Sequence, residues 1–355
     1  MNLHAGQFEA QRVLFGAGLR HTVRAELEHL DVKRALVLST PAQSSMAMDL
    51  AGALGAHAAG VYTKAAMHTP VTVTEDALAH AGEVAADCTV AIGGGSTIGL
   101  GKAMAYRSAL RQLAVPTTYA GSEATPILGQ TIDGVKKTLT DPRVLPETVI
   151  YDPELVVSLP RAMTVTSALN AMAHAAEALY AKDRTPETTE LARDGLAAFI
   201  KALPRVLEAP DNLEAREETL RGAWACGAVL GRVGMALHHK LCHTLGGSFD
   251  LPHADTHAII LPHAVHFNAA AVPELLAPVA ELLGGDTPGQ ALWNFAQALG
   301  APTALRALGV AEADLDRAAD LAVANPYWNP RDVDRAALRA LLQDAWSGAT
   351  PGTHT

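Results

Sequence analysis

The chain has 355 residues, 49% hydrophobic and 18% charged, too long for one ordinary core and too apolar for a disordered chain. Lysine and arginine number 27 against 37 acidic residues, a formal net charge of −10, which argues against a nucleic-acid groove or an anionic membrane as the main partner. Cys88, Cys226 and Cys242 form no C-x-x-C pair, so reduced thiols in a cytoplasmic setting fit better than a disulfide framework or a thiolate zinc site. The N-terminal stretch has no basic-then-apolar signal pattern, and no run approaches the roughly 18–20 apolar residues of a membrane span.

In chain order, short apolar runs at 34–40, 58–63, 89–93 and 148–151 read as strands. Segments 74–86 and 96–108 between them read as helices with one apolar face. Alternation of this kind predicts βαβ units, hence an α/β domain over 1–155 with a mainly parallel sheet. Ligands of such sheets sit beyond the carboxyl ends of the strands. From 156 to 355 the texture becomes rich in Leu, Ala and Glu, with helical stretches at 162–182, 187–207, 213–247, 273–284, 289–299, 312–324 and 334–346. Pro160, Pro186, Pro204, Pro210, Pro252, Pro262 and Pro288 punctuate them as starts and breaks. This half is expected to be all-α, joined to the first within 151–160, and the tail 347–355 is expected to fray.

The first half carries Ile92-Gly93-Gly94-Gly95-Ser96 where a strand should pass into a helix. Glycines admit close backbone approach, Ser96 suits a helix N-cap, and the first amides of the helix face an anion. A pyrophosphate cradle is the functional reading; a plain strand-to-helix turn is the bland one. Pro116-Thr117-Thr118-Tyr119-Ala120-Gly121-Ser122-Glu123 follows another apolar run, and Thr40-Pro41 ends a third. Thr40, Thr117, Thr118 and Ser122 could hold a ribose or phosphate, or only form turns.

Seven of the fifteen histidines (His238, His239, His243, His253, His257, His263 and His266) fall within 29 residues. His239 and His243 share a helical face at i, i+4, as do Asn170 and His174 upstream. His253 follows Pro252 after Gly246-Gly247, a break that would fold it back toward that face. His174, His239 and His253 together suggest a metal-ligand layout. His257, His263 and His266 read more simply as hydrogen-bonded core or surface groups, and Cys242 as packing.

The succession GGGS, PTTYAGSE, DPRVLPETVIYDPEL, NAMAHAAEALY and HHKLCHTLGGSFDLPHADTHAIILPH resembles the iron-containing (group III) alcohol dehydrogenases over nearly the whole chain. That resemblance implies an α/β dinucleotide-binding domain followed by an all-α domain, an architecture shared with dehydroquinate synthase. It places a dinucleotide pyrophosphate on Gly93, Gly94, Gly95 and Ser96, with Thr117, Thr118 and Ser122 alongside; Thr40, ending a strand at the same sheet edge, is a further cofactor candidate. In the wider family an aspartate and three histidines bind Fe²⁺ or Zn²⁺; the matching positions are Asn170, His174, His239 and His253, with His243 matching a histidine near nicotinamide and substrate. Asn170 replaces the only anionic ligand, so a metal is optional here. PTTYAGSE, NAMAHAAEALY, PHADTHA and NPYWNPR resemble the branch that reduces the activated C=C bond of maleylacetate, a dicarboxylate, during aromatic-compound breakdown.

On that reading His243, or Tyr327 within NPYWNPR, supplies the proton, while His174, His239 and His253 orient the substrate or stabilise the enolate. Lys136, Lys137, Lys240, Arg331 and protonated histidines are candidate cations for the two carboxylates. The loop Ser39-Thr40-Pro41-Ala42-Gln43 has no acidic residue to repel a 2′-phosphate, so NADH and NADPH should both work. A homodimer is expected from the family. The alternatives are a metal-dependent alcohol dehydrogenase of the same architecture, a dehydroquinate synthase-like lyase and a non-catalytic cation-binding protein.

Overall fold

The structure is a computed structural model that describes residues 11–108 and 110–354, with Lys136 described by its backbone alone. It divides into two compact units, one up to Leu159 and one from Pro160.

The first unit runs β1 (Arg12–Phe15), α1 (Val23–His29), β2 (Ala35–Leu38), α2 (Ser44–Leu54), β3 (Ala58–Tyr62), α3 (Val71–Glu83), β4 (Cys88–Gly93), α4 (Gly95–Ser108) and β5 (Arg111–Pro116). It ends with β6 (Ile127–Ile132), β7 (Val135–Thr140) and β8 (Thr148–Tyr151). The main sheet has the order β1-β8-β5-β4-β2-β3, parallel throughout. Ala35–Leu38 and Cys88–Gly93 are buried at every position, as central strands covered on both faces must be. Val37, Val90, Ile92, Leu113, Val115 and Ile150 pack in one core with Leu27, Leu50 and Leu54 from α1 and α2. β2 leads to β3 on one side, and β4 leads to β5 on the other. The chain therefore reverses its winding between β2 and β4, the switch point where such sheets bind ligands.

The antiparallel β6–β7 hairpin is an addition to the expected strands. Its turn, Asp133-Gly134, has positive φ at both residues (51° and 74°), the backbone that a tight two-residue hairpin needs. A second departure concerns Ser96. Because α4 already starts at Gly95, Ser96 lies inside the first turn rather than at its cap.

The second unit is helical: α5 (Arg161–Tyr180), α6 (Pro186–Glu208), α7 (Leu213–Leu230), α8 (Leu237–Phe249), α9 (His253–Ala269), α10 (Pro273–Leu283), α11 (Pro288–Leu299), α12 (Asp314–Ala324) and α13 (Arg335–Ser347). Every residue of α5 from Thr164 to Tyr180 is buried. Ala168, Ala171, Ala175 and Ala178 keep its girth small, so α6, α7, α9 and α10 can all pack on it. A helix enclosed on all sides is a unit's central element. α8, α9, α12 and α13 close a second core around Leu241, Leu245, Ile260, Phe267, Leu315 and Leu342.

Several sequence expectations are corrected here. The stretch 213–247 is two helices, broken over 231–236, where Gly234 N–H donates to the Asp183 carboxylate (3.0 Å). Gly246 and Gly247 lie within α8; the chain turns instead at Asp250, held at φ 53°. Pro204 and Pro262 sit inside α6 and α9 rather than ending a helix. Nor is the tail frayed as far as His354, the last described residue: buried Asp344 accepts the amides of Gly352 and Thr353 (both 3.0 Å) and bonds the His354 ring.

An Asp344→Ala variant should unfasten residues 349–354 and leave the amides of Gly352, Thr353 and His354 and the His354 ring without their acceptor. The expected loss is roughly 1–3 kcal/mol, read as a lower denaturation midpoint together with new protease cleavage in the tail. An unchanged midpoint and an uncut tail would contradict this account of the clasp.

Candidate active site

At the switch point of the first unit, three loops meet. Gly93 accepts from the Thr117 amide (3.0 Å), which ties the β4 and β5 ends together. Gln43, beyond β2, donates its amide to Thr117 Oγ1 (2.8 Å). A Cβ on Gly93 would stand 2.4 Å from Thr97 Oγ1 and 2.9 Å from Gln43 Oε1; one on Gly94 would stand 2.9 Å from Thr118 Cγ2. These contacts leave no room for a side chain, so the bare amides of Gly94, Gly95 and Ser96 front the start of α4. That arrangement suits a phosphate. Thr40, Thr118 and Ser122 lie on the same three loops and are partly exposed.

Lys102 braces this edge. Fully buried on α4, its ammonium donates to the carbonyls of Ser122 and Thr125 (2.7 and 2.9 Å) and to Thr125 Oγ1 (3.1 Å). Burial pulls its pKa down to about 7, against the opposing pull of Glu123. Glu123, which burial shifts upward, takes the Tyr151 hydroxyl (2.9 Å). Sequence reasoning passed over Lys102 and Gln43; a lysine on the apolar side of a predicted helix was the available signal.

In the second unit, α5 carries Asn170, His174 and Glu177 at i, i+4 and i+7, on one face. All three are buried, as are His238, His239 and His257. The His239 ring centroid lies 5.2 Å from that of His174, 5.9 Å from His243 and 5.1 Å from His257, and His253 lies 4.2 Å from His257. His243 and His253 occupy the exposed rim of the group. His238 Nε2 and His257 Nδ1 bond each other at 3.0 Å, beside Cys242 Sγ at 3.6 Å from His238. Burial holds the His174, His238 and His257 imidazoles neutral, well below the ordinary histidine range, and neighbouring rings add to the shift. The Cys242 thiol is pushed well up by burial and stays protonated.

Residues 325–331 are strapped onto this group. The Asn329 and Asn268 side-chain amides pair reciprocally (2.7 and 2.9 Å), and Arg331 donates to the Phe267 carbonyl (2.9 Å) while stacking on its ring. Tyr327 Oη thereby reaches His243 Nδ1 at 2.9 Å, with Lys240 Nζ 5.7 Å from the Tyr327 ring. Arg331 is thus engaged with the end of α9, and Lys137 sits exposed on β7 in the other unit. His263 is buried with neither nitrogen bonded, unlike the hydrogen-bonded group expected, and burial lowers its pKa to about 4.

The iron-containing alcohol dehydrogenase profile matches residues 10–153, and the C-terminal profile of the same family matches 164–346. The chain belongs to the iron-containing alcohol dehydrogenase family. A maleylacetate reductase from Rhizobium sp. is 58% identical over 340 residues, 96% of this chain and 97% of that protein. One from Burkholderia cepacia is 52% identical over 98% of this chain and all of its own length. The crystal structure of a maleylacetate reductase from Agrobacterium tumefaciens superposes with a TM-score of 0.95 at 56% identity, covering 99% of this chain and 100% of that one.

For a member of this family the donor set can be tested against a divalent cation. Asn170 Oδ1, His174 Nδ1 and His239 Nε2 are buried polar atoms with no hydrogen-bond partner, a costly state unless something else binds them. The group fits a cation, though Asn170 brings no charge to it. The glycine cradle likewise fits a dinucleotide phosphate. No helix among the described residues is long and apolar enough to cross a membrane.

A Gly93→Ala substitution drives a methyl into the first turn of α4. KM for NADH should rise about tenfold or more, a loss of ~1.4 kcal/mol of binding, with kcat changing less because the contact is made in ground and transition states alike. An unaltered KM would remove the cradle from dinucleotide binding.

Proposed function

We propose that the chain is an NAD(P)H-dependent maleylacetate reductase that yields 3-oxoadipate. The observation that carries this reading is the identity of 58% and 52% to maleylacetate reductases across nearly all of both chains. The chemistry follows from the substrate. Its C=C bond is conjugated with a ketone, so hydride enters at the alkene carbon β to that ketone and the electron pair collects on the ketone oxygen as an enolate. A proton then closes the α carbon. When bound, the dinucleotide supplies the hydride; a cation held by Asn170, His174, His239 and His253 would supply Lewis-acid stabilisation of the enolate oxygen.

The remaining work falls to this chain's own side chains. Tyr327, whose phenol burial pushes up, keeps its proton and donates to His243 Nδ1. The His243 proton then rests on Nε2, the nitrogen assigned to protonate the α carbon; as it leaves, the Tyr327 proton passes to Nδ1 and the phenolate is reprotonated from solvent. His174 and His253 orient the substrate and donate toward the enolate oxygen. Lys240 beside Tyr327 faces a substrate carboxylate. A neutral amide at position 170 attracts a cation less than a carboxylate would, so metal is optional. With no acidic residue over 39–43, both NADH and NADPH serve.

The test is purified enzyme with maleylacetate and either dinucleotide, before and after treatment with a chelator. We expect one NADH oxidised per 3-oxoadipate formed, NADPH accepted as well, and turnover that survives the chelator. Failure to oxidise NADH, with reduction of NAD by a small alcohol restored by Fe²⁺ or Zn²⁺, would replace this reading with an alcohol dehydrogenase. Turnover abolished by the chelator would overturn the optional metal alone.

A further inference from the structure

Glu177 lies outside the roles assigned so far, yet it sits under the histidines. It is fully buried on α5, one turn beyond His174. Its Oε2 accepts the Ala236 amide (2.8 Å) and contacts His239 Nδ1 (2.7 Å). Its Oε1 accepts the His238 amide (2.7 Å) and the Tyr180 hydroxyl (3.3 Å). Among the described residues its ion-pair partner is His239, with no lysine or arginine in that role.

Backbone amides only donate, and one lands on each carboxylate oxygen. The carboxylate is thus an acceptor on both sides, and the 2.7 Å contact to His239 requires the proton to be on Nδ1. Nε2, buried and without a hydrogen-bond partner, then holds a lone pair. We infer that Glu177 is a positioning residue, fixing His239 as the Nδ1–H tautomer so that Nε2 presents a lone pair to a divalent cation or a substrate proton. A carboxylate behind a histidine fixes the ring's tautomer and orientation. Glu177 also supplies, one step back, the negative charge that Asn170 lacks. The arrangement separates two histidines on the same face of α8: His239 is held as an acceptor, His243 as a donor. It holds whether the substrate is maleylacetate or an alcohol.

The test uses the whole 355-residue chain labelled with ¹⁵N-histidine, and Zn²⁺ alone as the binding probe. The wild-type spectrum should show His239 with a protonated Nδ1 and an unprotonated Nε2. In Glu177→Gln the amide NH2 must face one of the two backbone N–H groups that the carboxylate accepted, so the acceptor that held Nδ1–H is lost or displaced and the tautomer is no longer fixed. Zn²⁺ affinity, measured by dialysis, should then fall about ten- to hundredfold. Glu177→Asp keeps the carboxylate and should restore the tautomer and most of the affinity, which a merely structural role would not bring about. A proton on Nε2 in the wild type overturns the inference even if the variants do not fold, as does unchanged Zn²⁺ affinity in Glu177→Gln. Neither result touches the reductase reading, which is tested by NADH oxidation.

Discussion

A carboxylate enclosed by protein without a lysine or arginine must be met by donors, and in this chain that constraint organises the second unit. Ala236 is the N-cap of α8 and His238 its second residue, and both amides are donors that a helix start would otherwise leave to water. Glu177 satisfies both from α5. Charge-assisted bonds of this kind contribute roughly 1.5–3 kcal/mol each, enough for a set of them to offset a burial penalty of several kcal/mol. The same carboxylate fastens the end of the 231–236 break and the start of α8 to α5. The tie continues outward: Tyr180 takes a bond from Asn268, Asn268 pairs with Asn329, and Asn329 belongs to the segment that carries Tyr327. Placing one buried charge therefore locates both the inner histidine, His239, and the phenol that contacts the outer one.

The chemistry of the group follows from its low polarity. Burial keeps His174, His238 and His257 uncharged, so the interior offers lone pairs and single N–H donors rather than a cluster of cations. Such a lining suits a reaction in which charge develops on one oxygen and is quenched by one proton. An alkoxide-forming oxidation leans more heavily on a cation, and Asn170 brings no charge to hold one. In the first unit, the amides at the start of α4 offer partial positive charge without any cationic side chain, so a net charge of −10 does not bar a phosphate there.

Much of this was legible in the sequence wherever apolar periodicity and glycine coincided. The strand at 89–93 and its glycine turn stood out because both signals end at the same residue, and α5 was marked by alanines around Asn170 and His174. What escaped had signals of another kind. The β6–β7 hairpin announces itself only through Asp133-Gly134. Gly246-Gly247 looked like a break, but tertiary packing on Leu241 and Leu245 outweighs the helix cost of two glycines of about 1 kcal/mol each. Glu177 was hidden because a glutamate on a helix usually faces water. Its spacing of three from His174 was the clue, and its partners at 236–239 are set by the fold rather than by proximity along the chain. Asp344 was missed for the same reason, since the donors it collects sit in a tail that composition alone marks as loose.

The central claim is that hydride enters a carbon–carbon double bond while the neighbouring ketone survives. It can be tested by turning over maleylacetate in ordinary water with NADH carrying deuterium at both C4 positions, then locating the label. The account predicts one deuterium on the former alkene carbon next to the carboxylate, an ordinary hydrogen from solvent on the carbon α to the ketone, and an intact carbonyl. Deuterium on a new carbinol carbon, with the double bond retained, would contradict it.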